Sequence, residues 1–489
     1  MSAPPLEIID HDAALAYLFG RINYERADKI PPQSRGLHLQ RMRDLAARLG
    51  DPQQRFRIVH VAGTKGKGST SAMLAAILTA AGYRTGLYTS PHVECVEERM
   101  QVDGRRCSRD EFIELIRQLR PEVDALDRRY AARGDGEPGP TYFEITTAAA
   151  LLHFARHKVD LAVLEVGLGG RLDSTNICRP EVAVITSISF DHMRQLGNTL
   201  AAIAGEKAGI IKPGAAVVTG VTEPEPLDVI RQTAARHGCA CFRAGQDFHY
   251  RYHGAHLPLS DAQSAERWPH GWAEFDYWED AAGIRHALDR LQLGLLGRHQ
   301  AANAAVALAT LSRLQERGWR ADEGAIRRGL AGVEVPARAE LVQQRPAVIV
   351  DAAHNPASVG ALIEVIRETC PRTATRRRIL VFAASQDKDA AAMLGPLLAE
   401  FDVLILTQFR NSPRAAEPGQ LLRTAQRLLS GDRGLSCQLL VEDDSTAAWE
   451  RARSLAAAED LICVAGSFFL ASELRSVIQQ QPLDSSCRV

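Results

Sequence analysis

Residues 57–70 of the chain read RIVHVAGTKGKGST, an apolar run followed by a glycine-rich turn. Residues 57–62 are mostly apolar and rich in β-branched side chains, which favours a buried strand. Residues 69–81 carry apolar side chains at helical spacing, and Gly82 follows at the usual place of a left-handed cap. The pattern predicts a strand, a glycine-rich turn and a helix.

The turn at 63–70, GTKGKGST, has the composition of a phosphate-binding loop. Its glycines let backbone N–H groups curl toward an anion, and the amino end of the helix adds its positive pole. Lys67 can reach the outer phosphates, and Ser69 or Thr70 can bind magnesium or a phosphate oxygen. Gly68 stands where the strict Walker A pattern has Ser or Thr, so a generic glycine-rich turn is the alternative. The strand–loop–helix context favours binding of ATP or GTP.

Further apolar runs favour a parallel sheet with helices on both faces, because strands covered on both sides are apolar throughout. Strands are predicted at 161–166, 181–187 and 215–220, and helices at 146–157 and over most of 1–50, with a loop at 29–36. Residues 240–290 have weak periodicity, and we interpret them as a hairpin-rich excursion or a long surface insertion.

The second half of the chain begins a new alternation of helices and strands. A helix is predicted at 300–317, and strands at 347–351, 379–382, 403–407, 437–441 and 461–465. We therefore predict an α/β protein of two domains. Residues 1–335 form a P-loop nucleotide-binding domain with a parallel sheet, and residues 336–489 form a smaller Rossmann-like α/β domain.

The composition argues against several kinds of partner. The 489 residues include 58 basic and 59 acidic side chains, so the formal net charge of −1 indicates neither a nucleic-acid nor a membrane surface. Nine cysteines occur without a CxxC pair, which is typical of reduced thiols in a cytosolic protein. The sequence lacks a signal-peptide pattern and any apolar run of about 18 residues that could span a membrane. We expect a cytoplasmic protein.

A series of motifs follows the loop in one order along the chain. They are YTSPH at 88–92, TYFE at 141–144, EVGLGGRLDSTN at 165–176, DHMRQLG at 191–197, EKAGIIKPG at 206–214, GRHQAANA at 297–304, PARAEL at 336–341, DAAHNP at 351–356, DKD at 387–389 and AGSF at 465–468. With the loop, they resemble the Mur ligase superfamily and, within it, the folylpolyglutamate synthase and dihydrofolate synthase family. The resemblance implies that ATP phosphorylates a substrate carboxylate and that an amine then displaces the phosphate.

The resemblance also implies a site for two magnesium ions. Ser90, Glu165 and His192 match its ligands, and Glu165 suits magnesium because it offers oxygen at the end of a buried strand. From the residues alone, the favoured interpretation of His192 is a hydrogen-bonded loop residue that follows Asp191. Lys207 matches the lysine that is carbamylated in this family, where the added CO₂ creates a carboxylate that bridges the second magnesium. From its spacing alone, the favoured interpretation of Lys207 is an ordinary exposed lysine in a helix.

The same comparison implies the residues that bind ATP. In the loop they are Gly66, Lys67, Gly68 and Ser69, and beyond it Asn303, Arg338 and Asp351, so that ATP is expected to lie between the two domains. His354 joins Lys67, His192 and Lys207 as a catalytic candidate, because it lies in the DAAHNP motif and is expected to approach the acyl phosphate. A strand-end cap is the alternative for Asp351 and His354.

The residues that match the pterin pocket lie in two motifs. They are Thr141, Tyr142, Phe143 and Glu144 in the first, and Leu172, Asp173 and Ser174 in the second. Phe143 either stacks on a flat ring or belongs to the core. Residues 22–26, INYER, fall where the family has another pterin contact, but their sequence differs from the motifs of the family.

We expect a ligase that joins L-glutamate to dihydropteroate, to reduced folates, or to both, and we favour the bifunctional enzyme. The alternative within the family is a folylpolyglutamate synthase alone, and outside it a Mur ligase acting on a UDP-muramyl substrate, which the wording of TYFE and EVGLGGRLDSTN disfavours. A nucleotide-binding protein that does not ligate is a third alternative, and the joint presence of Ser90, Glu165, His192 and Lys207 argues against it. The family expectation is a monomer with small-molecule substrates.

Overall fold

The computed structural model describes residues 8–23, 39–134, 136–259, 266, 268–281, 284–410, 414–431, 434 and 436–480. The chain divides into two compact units. The first runs as far as Tyr250 and adds Tyr277–Ala287 and Ala302–Leu330, and the second contains Arg251–Asp276, Leu288–Ala301 and the described residues from Ala331 onward. The second unit thus takes segments from the stretch assigned by sequence to the first domain, and the boundary at 335/336 stays a prediction.

The apolar runs of the first half form an eight-stranded sheet with the order β4-β3-β2-β5-β1-β6-β7-β8. All neighbouring pairs from β2 to β8 in this order are parallel. At one edge of the sheet, β3 pairs antiparallel with both β2 and β4. The strands are β1 Arg57–Ala62, β2 Thr85–Tyr88, β3 Met100–Val102, β4 Arg105–Arg106, β5 Leu161–Glu165, β6 Val182–Ile185, β7 Ala216–Thr219 and β8 Cys241–Arg243. Because parallel strands end at one edge of the sheet, the loops after β1, β2, β5 and β6 meet there.

Helices cover this sheet, and apolar clusters of described residues lie between the helices and the strands. One cluster joins α1, α2, α4 and α5 to β2, β3 and β5, and another joins α7 and α8 to β6 and β7. The helices are α1 His11–Phe19, α2 Leu39–Arg48, α3 Lys67–Ala80, α4 Arg109–Ala131, α5 Tyr142–Arg156, α6 Met193–Leu196, α7 Leu200–Ala208 and α8 Pro224–Arg236, with 3-10 turns at Pro52–Gln54, Val96–Arg99 and Ser174–Ile177.

The stretch predicted to be rich in hairpins contains a three-stranded sheet with the order β11-β10-β9. Two helices follow it. These elements are β9 Phe248–His256, β10 Trp272–Ala281, β11 Ile284–Leu293, α9 Arg298–Gln315 and α10 Glu323–Ala331.

A six-stranded sheet with the order β12-β13-β17-β14-β15-β16 forms the centre of the second unit. Its neighbours are parallel except for the antiparallel pair of β12 and β13. The elements are β12 Glu340–Gln344, β13 Ala347–Val350, α11 Pro356–Thr369, β14 Arg378–Phe382, α12 Ala390–Glu400, β15 Val403–Leu406, α13 Pro418–Gly431, β16 Gln438–Val441, α14 Ser445–Leu455, β17 Leu461–Ala465 and α15 Phe468–Gln480.

The predicted fold class, an α/β protein with two parallel-type sheets, is confirmed. The strands predicted from apolar runs agree with the observed ones to within one or two residues at each end. Within the described part of the chain, no helix is long and apolar enough to cross a membrane.

Helix α10 packs on α3 so closely that its backbone needs glycine at one position. An ideal Cβ at Gly329 would lie 2.5 Å from Ile77 Cα. We predict that Gly329→Ala lowers the free energy of unfolding by about 1–3 kcal/mol, the usual cost of overpacking. Urea denaturation followed by circular dichroism measures this.

Gly324 in the same helix is the matched control. An added Cβ there would lie 3.1 Å from the end of the Arg328 side chain, which can move away, and 3.4 Å from Asp322 Oδ1, which is an ordinary contact distance. Gly324→Ala is therefore expected to leave stability unchanged or to raise it by up to about 1 kcal/mol. Equal destabilisation by both variants would contradict the close contact of α3 and α10.

Candidate active site

The phosphate loop follows a path that only glycine allows. Gly66 is the N-cap of α3 with φ at +83°, in the left-handed region that glycine adopts without steric cost. An ideal Cβ at Gly66 would lie 2.2 Å from Asn303 Oδ1, and one at Gly63 would lie 1.9 Å from Thr186 Oγ1. Neither position accepts a side chain, so the loop lies directly against α9 and the end of β6.

Hydrogen bonds from the segment after β6 hold the loop. The Thr64 N–H donates to Ser187 O at 2.8 Å, and the Lys65 N–H donates to Ser187 Oγ at 2.9 Å. The Thr186 hydroxyl donates to Lys65 O at 2.6 Å. Lys67 is the first residue of α3, and the first N–H groups of a helix have no acceptor within it. These N–H groups and the Lys67 charge make the loop suitable for a phosphate.

Glu165 and Ser90 meet beside the first turn of α3. Glu165 ends β5 with only 4% of its surface exposed, and its Oε2 accepts a hydrogen bond from Ser90 N at 3.0 Å. An ideal Cβ at Gly68 would lie 3.3 Å from the same oxygen. Gly68 therefore makes room for the carboxylate where the strict Walker A pattern has a hydroxyl side chain. A carboxylate oxygen at this place fits magnesium, which prefers oxygen ligands.

Lys207 contacts the other end of the loop. It lies in the last turn of α7, is 4% exposed, and donates from Nζ to Gly63 O at 2.8 Å. Burial, and after it the positive charge of Lys67, lowers the pKa of Lys207 to about 7. At neutral pH much of this amine is therefore uncharged, and an uncharged amine is the form that reacts with CO₂.

His192 is connected to the loop through its neighbour Asp191. His192 precedes α6 with φ at +49°, and its side chain is 54% exposed. Its Nε2 lies 3.8 Å from Asp191 Oδ1, and Asp191 Oδ2 lies 3.2 Å from Lys65 Nζ. Sequence reasoning gave Asp191 no role. The signal that could have identified it is the occurrence of an acid next to a candidate ligand and of a spare lysine in the loop.

The first of the two pterin motifs begins α5 and is mostly packed inside the protein. Thr141 is the N-cap of α5, and its N–H and hydroxyl donate to Glu144 Oε2, each at 2.8 Å. Glu144 also forms a buried ion pair with Arg41 at 2.8 Å, and Tyr142 is 1% exposed. These contacts give Thr141 and Glu144 a structural role, and Arg41, which sequence reasoning missed, completes it.

Phe143 differs from its neighbours because it is only half-buried. An ideal Cβ at Gly167 would lie 2.4 Å from the Phe143 ring, so the ring covers this backbone. Asp173 accepts hydrogen bonds from Gly167 N and Leu168 N at 3.0 Å each and fixes the same turn. Leu172 is half-buried and Ser174 is buried. In the INYER stretch, residues 24–26 lie outside the described residues.

The second unit holds Asp351 and Arg338 in a tightly bonded segment of its own. Asp351 is buried, and its two oxygens accept from Ala339 N and Ala353 N at 2.6 Å each. Burial raises the pKa of Asp351, which the Arg338 charge opposes. Arg338 is exposed and stands between Ala337 and Ala339, whose φ angles are +55° and +47°. Two strained alanines in this position indicate a conformation that the surroundings enforce.

His354 lies after strand β13, in the same segment as Asp351. Its Nδ1 lies 2.9 Å from Ala352 O, which makes Nδ1 the donor and leaves Nε2 without its proton in the neutral ring. The backbone N–H of His354 donates to Ser358 Oγ at 3.2 Å. The strand-end contacts foreseen as the alternative are thus present, and a catalytic role for His354 stays a prediction.

The chain is similar in sequence and in structure to known ligases. The sequence matches the Mur ligase middle domain over residues 61–311 and the Mur ligase glutamate ligase domain over residues 337–468. It is 42% identical over 358 residues to the dihydrofolate synthase/folylpolyglutamate synthase of Bacillus subtilis, covering 73% of this chain and 77% of the relative. It is 35% identical over 443 residues to the protein of the same description from Escherichia coli, covering 90% and 91%. The folylpolyglutamate synthase of Mycobacterium tuberculosis, solved with ADP and AMPPCP, superposes with a TM-score of 0.80 at 31% identity, covering 97% of this chain and 100% of that one.

The contact of Gly66 with Asn303 yields a prediction for nucleotide binding. Gly66→Ala places a methyl group on the Asn303 amide and is expected to raise the KM for ATP at least about tenfold, equivalent to about 1.4 kcal/mol of binding. Gly82→Ala is the matched control, because Gly82 has φ at +92° and nothing within 4 Å of an added Cβ.

Both variants carry the same left-handed strain, so both lose some thermal stability. Only Gly66→Ala is expected to lose affinity for ATP, which calorimetric titration measures directly. An unchanged affinity in Gly66→Ala would show that the loop can move away from α9 at little cost.

Proposed function

The chain belongs to the folylpolyglutamate synthase and dihydrofolate synthase family of Mur ligases, and we propose that it joins L-glutamate both to dihydropteroate and to tetrahydrofolate. It is an ATP-dependent ligase that forms an amide bond. The observation that carries the proposal is the placement of two buried ionisable side chains at the phosphate loop: Glu165 beside Gly68 and Lys207 on Gly63 O. A nucleotide-binding protein without chemistry has no need to bury both.

The loop residues bind and orient the triphosphate. The N–H groups at the start of α3 and the Lys67 charge hold the outer phosphates, so that the acceptor carboxylate meets the terminal phosphorus with ADP as the leaving group. The acyl phosphate that results loses its phosphate when the amine of L-glutamate attacks the acyl carbon and gives up a proton. Asn303 and, from the second unit, Arg338 and Asp351 are proposed to hold ATP. His354 is proposed to lie near the acyl phosphate.

Ser90 and Glu165 are proposed to hold magnesium, with His192 as a further ligand. When bound, magnesium offsets the negative charge of the triphosphate and of the approaching carboxylate. We propose that Lys207 adds CO₂: a bond forms between its nitrogen and the carbon, the nitrogen loses a proton, and the resulting carbamate offers oxygen to a second magnesium. The low pKa of Lys207 supports this, because CO₂ reacts only with the neutral amine.

We propose that the residues matched by sequence to the pterin pocket bind the pterin, and that the Phe143 side chain contacts the pterin ring. Six further residues shape the wall of the proposed pterin pocket, most of them from buried positions. They are Thr141, Tyr142, Glu144, Leu172, Asp173 and Ser174. The monomeric state and the cytoplasmic location stay predictions.

Phosphate release tests the proposed function. Purified protein is assayed with ATP, magnesium and L-glutamate, in parallel with 7,8-dihydropteroate and with tetrahydrofolate. Turnover with both acceptors is expected. Turnover with tetrahydrofolate alone would reduce the enzyme to a folylpolyglutamate synthase, and release with neither acceptor would overturn the assignment of the substrate.

Carbamylation of Lys207 predicts a dependence on CO₂ and pH. Below the pKa of about 7 the amine is increasingly protonated, so addition of CO₂ is opposed as the pH falls and favoured as it rises. In CO₂-free buffer at about pH 6 the activity is expected to fall, and added bicarbonate is expected to restore it. Carbon-13 NMR with labelled bicarbonate should show a carbamate signal.

Lys207→Arg is expected to lower kcat at least about 100-fold, because arginine cannot add CO₂. Lys212→Arg is the matched control: Lys212 also donates to a backbone carbonyl, Gly209 O, at 3.1 Å, and burial also lowers its pKa. Full activity of Lys207→Arg, or a carbamate signal that persists in it, would sink the carbamylation proposal and leave the ligase assignment intact.

A further inference from the structure

The start of α4 and the end of α5 bring together three side chains of the kinds that hold zinc. Cys107 lies just before α4, Glu111 lies in its first turn, and His153 lies in the last turn of α5. Their ligand atoms, one from each residue, all lie within 4.8 Å of one another. Among the residues that the structure describes, this is the one group of three such side chains at that spacing. None of them belongs to the phosphate loop or to the residues assigned to the ligase site.

His153 is the observation that points to a ligand. Its side chain is only 2% exposed. Its ring packs against the Phe154 and His157 rings, and its ring nitrogens form no hydrogen bond with any described residue. A polar side chain that loses most of its contact with water and gains no hydrogen bond is costly to bury, so a group that accepts its lone pair would stabilise the fold. Burial, and then the nearby His157, lowers the pKa of His153 to about 4, so the ring is neutral at pH 7, the form that binds metals.

Glu111 is held in place as a carboxylate. Its Oε2 accepts from Ser108 N at 2.8 Å and from Ser108 Oγ at 2.7 Å, and its Oε1 lies 2.7 Å from His157 Nε2. Partial burial opposes ionisation, but the hydrogen bonds from Ser108 and His157 outweigh it and lower the pKa of Glu111 to about 2. Outer partners of this kind fix the orientation of metal-binding carboxylates in known sites.

Cys107 supplies the sulfur. Its side chain is 2% exposed, and burial, with the charges of Glu111 and Glu97, raises the pKa of the thiol. The thiol is therefore protonated at neutral pH when no metal is present. On metal binding the S–H bond breaks, a bond between sulfur and metal forms, and the proton passes to solvent.

We propose that Cys107, Glu111 and His153 bind Zn²⁺ in a site that fastens α4 to α5. Sulfur, nitrogen and one carboxylate oxygen form a donor set that zinc accepts and that magnesium, which prefers oxygen alone, does not. His157 orients the Glu111 carboxylate, and water takes the fourth position on the half-exposed side of Glu111. Zinc bonds of about 2.0–2.3 Å put ligand atoms about 3.5 Å apart, so binding draws the three side chains together by about 1 Å.

Titration of the metal-free, full-length protein with Co²⁺ tests this site. Excess Mg²⁺ is present throughout to occupy the phosphate-loop site. A thiolate bound to Co²⁺ produces a charge-transfer absorption in the near ultraviolet, and no residue assigned to the ligase site is a cysteine. We expect this absorption to saturate at one Co²⁺ per chain and to be displaced by Zn²⁺, which should also raise the Tm.

Cys107→Ser is expected to lose the absorption and to weaken Zn²⁺ binding more than about 100-fold, beyond what loss of an outer partner costs. His153→Gln should weaken binding as strongly while its thiol is intact. Cys178→Ser is the matched control: Cys178 is also 2% exposed and lies 3.5 Å from a histidine nitrogen, His60 Nδ1, so its loss should leave the absorption unchanged.

Absence of the absorption in the unmodified protein, or its persistence in Cys107→Ser, would overturn the zinc site even if a variant failed to fold. Phosphate release measured on the same samples keeps the two proposals apart. Ligase activity without Co²⁺ absorption refutes the metal site alone, whereas Co²⁺ absorption without activity refutes the proposed substrates alone.

Discussion

The ligase site depends on how closely the phosphate loop packs against the side chains behind it. At Gly63 and Gly66 an added Cβ would fall 1.9 and 2.2 Å from Thr186 and Asn303, so the path of the loop is fixed by steric exclusion before any ligand arrives. The hydrogen bonds to Ser187 then fix its orientation. Because the loop cannot move back, its two ends stay within reach of groups brought in by β5 and α7, and the rest of the site follows from that reach.

Burial of charge is the cost of this arrangement. Glu165 and Lys207 are each 4% exposed, and removing an ion from water is expensive unless hydrogen bonds replace the lost hydration. The fold supplies such bonds: Ser90 N donates to Glu165, and Lys207 donates to Gly63 O. For Lys207 the compensation is incomplete, and its pKa falls as a result. The reactivity of the amine is thus a direct product of how the loop is packed.

Local patterns predicted most of the fold because its central strands are continuous apolar runs, as at 161–166 and 403–407. The antiparallel pair β3 and β4 was missed because it is short and because β4, Arg105–Arg106, is polar and exposed. Candidate site residues were found where a motif marks them. The Arg41–Glu144 pair and the bonds from Ser187 to the loop join residues more than 100 positions apart. No local pattern marks such pairs, so only the folded chain shows them.

The division of the chain into two units has a consequence for its synthesis on the ribosome. The first unit needs Ala302–Leu330, yet Arg251–Asp276 and Leu288–Ala301, which belong to the second, are translated earlier. A nascent chain therefore carries parts of the second unit before the first can be completed, although domains usually fold in the order of their translation. Neither unit corresponds to one uninterrupted piece of the gene, so a single cut in the coding sequence cannot separate them as intact folding units.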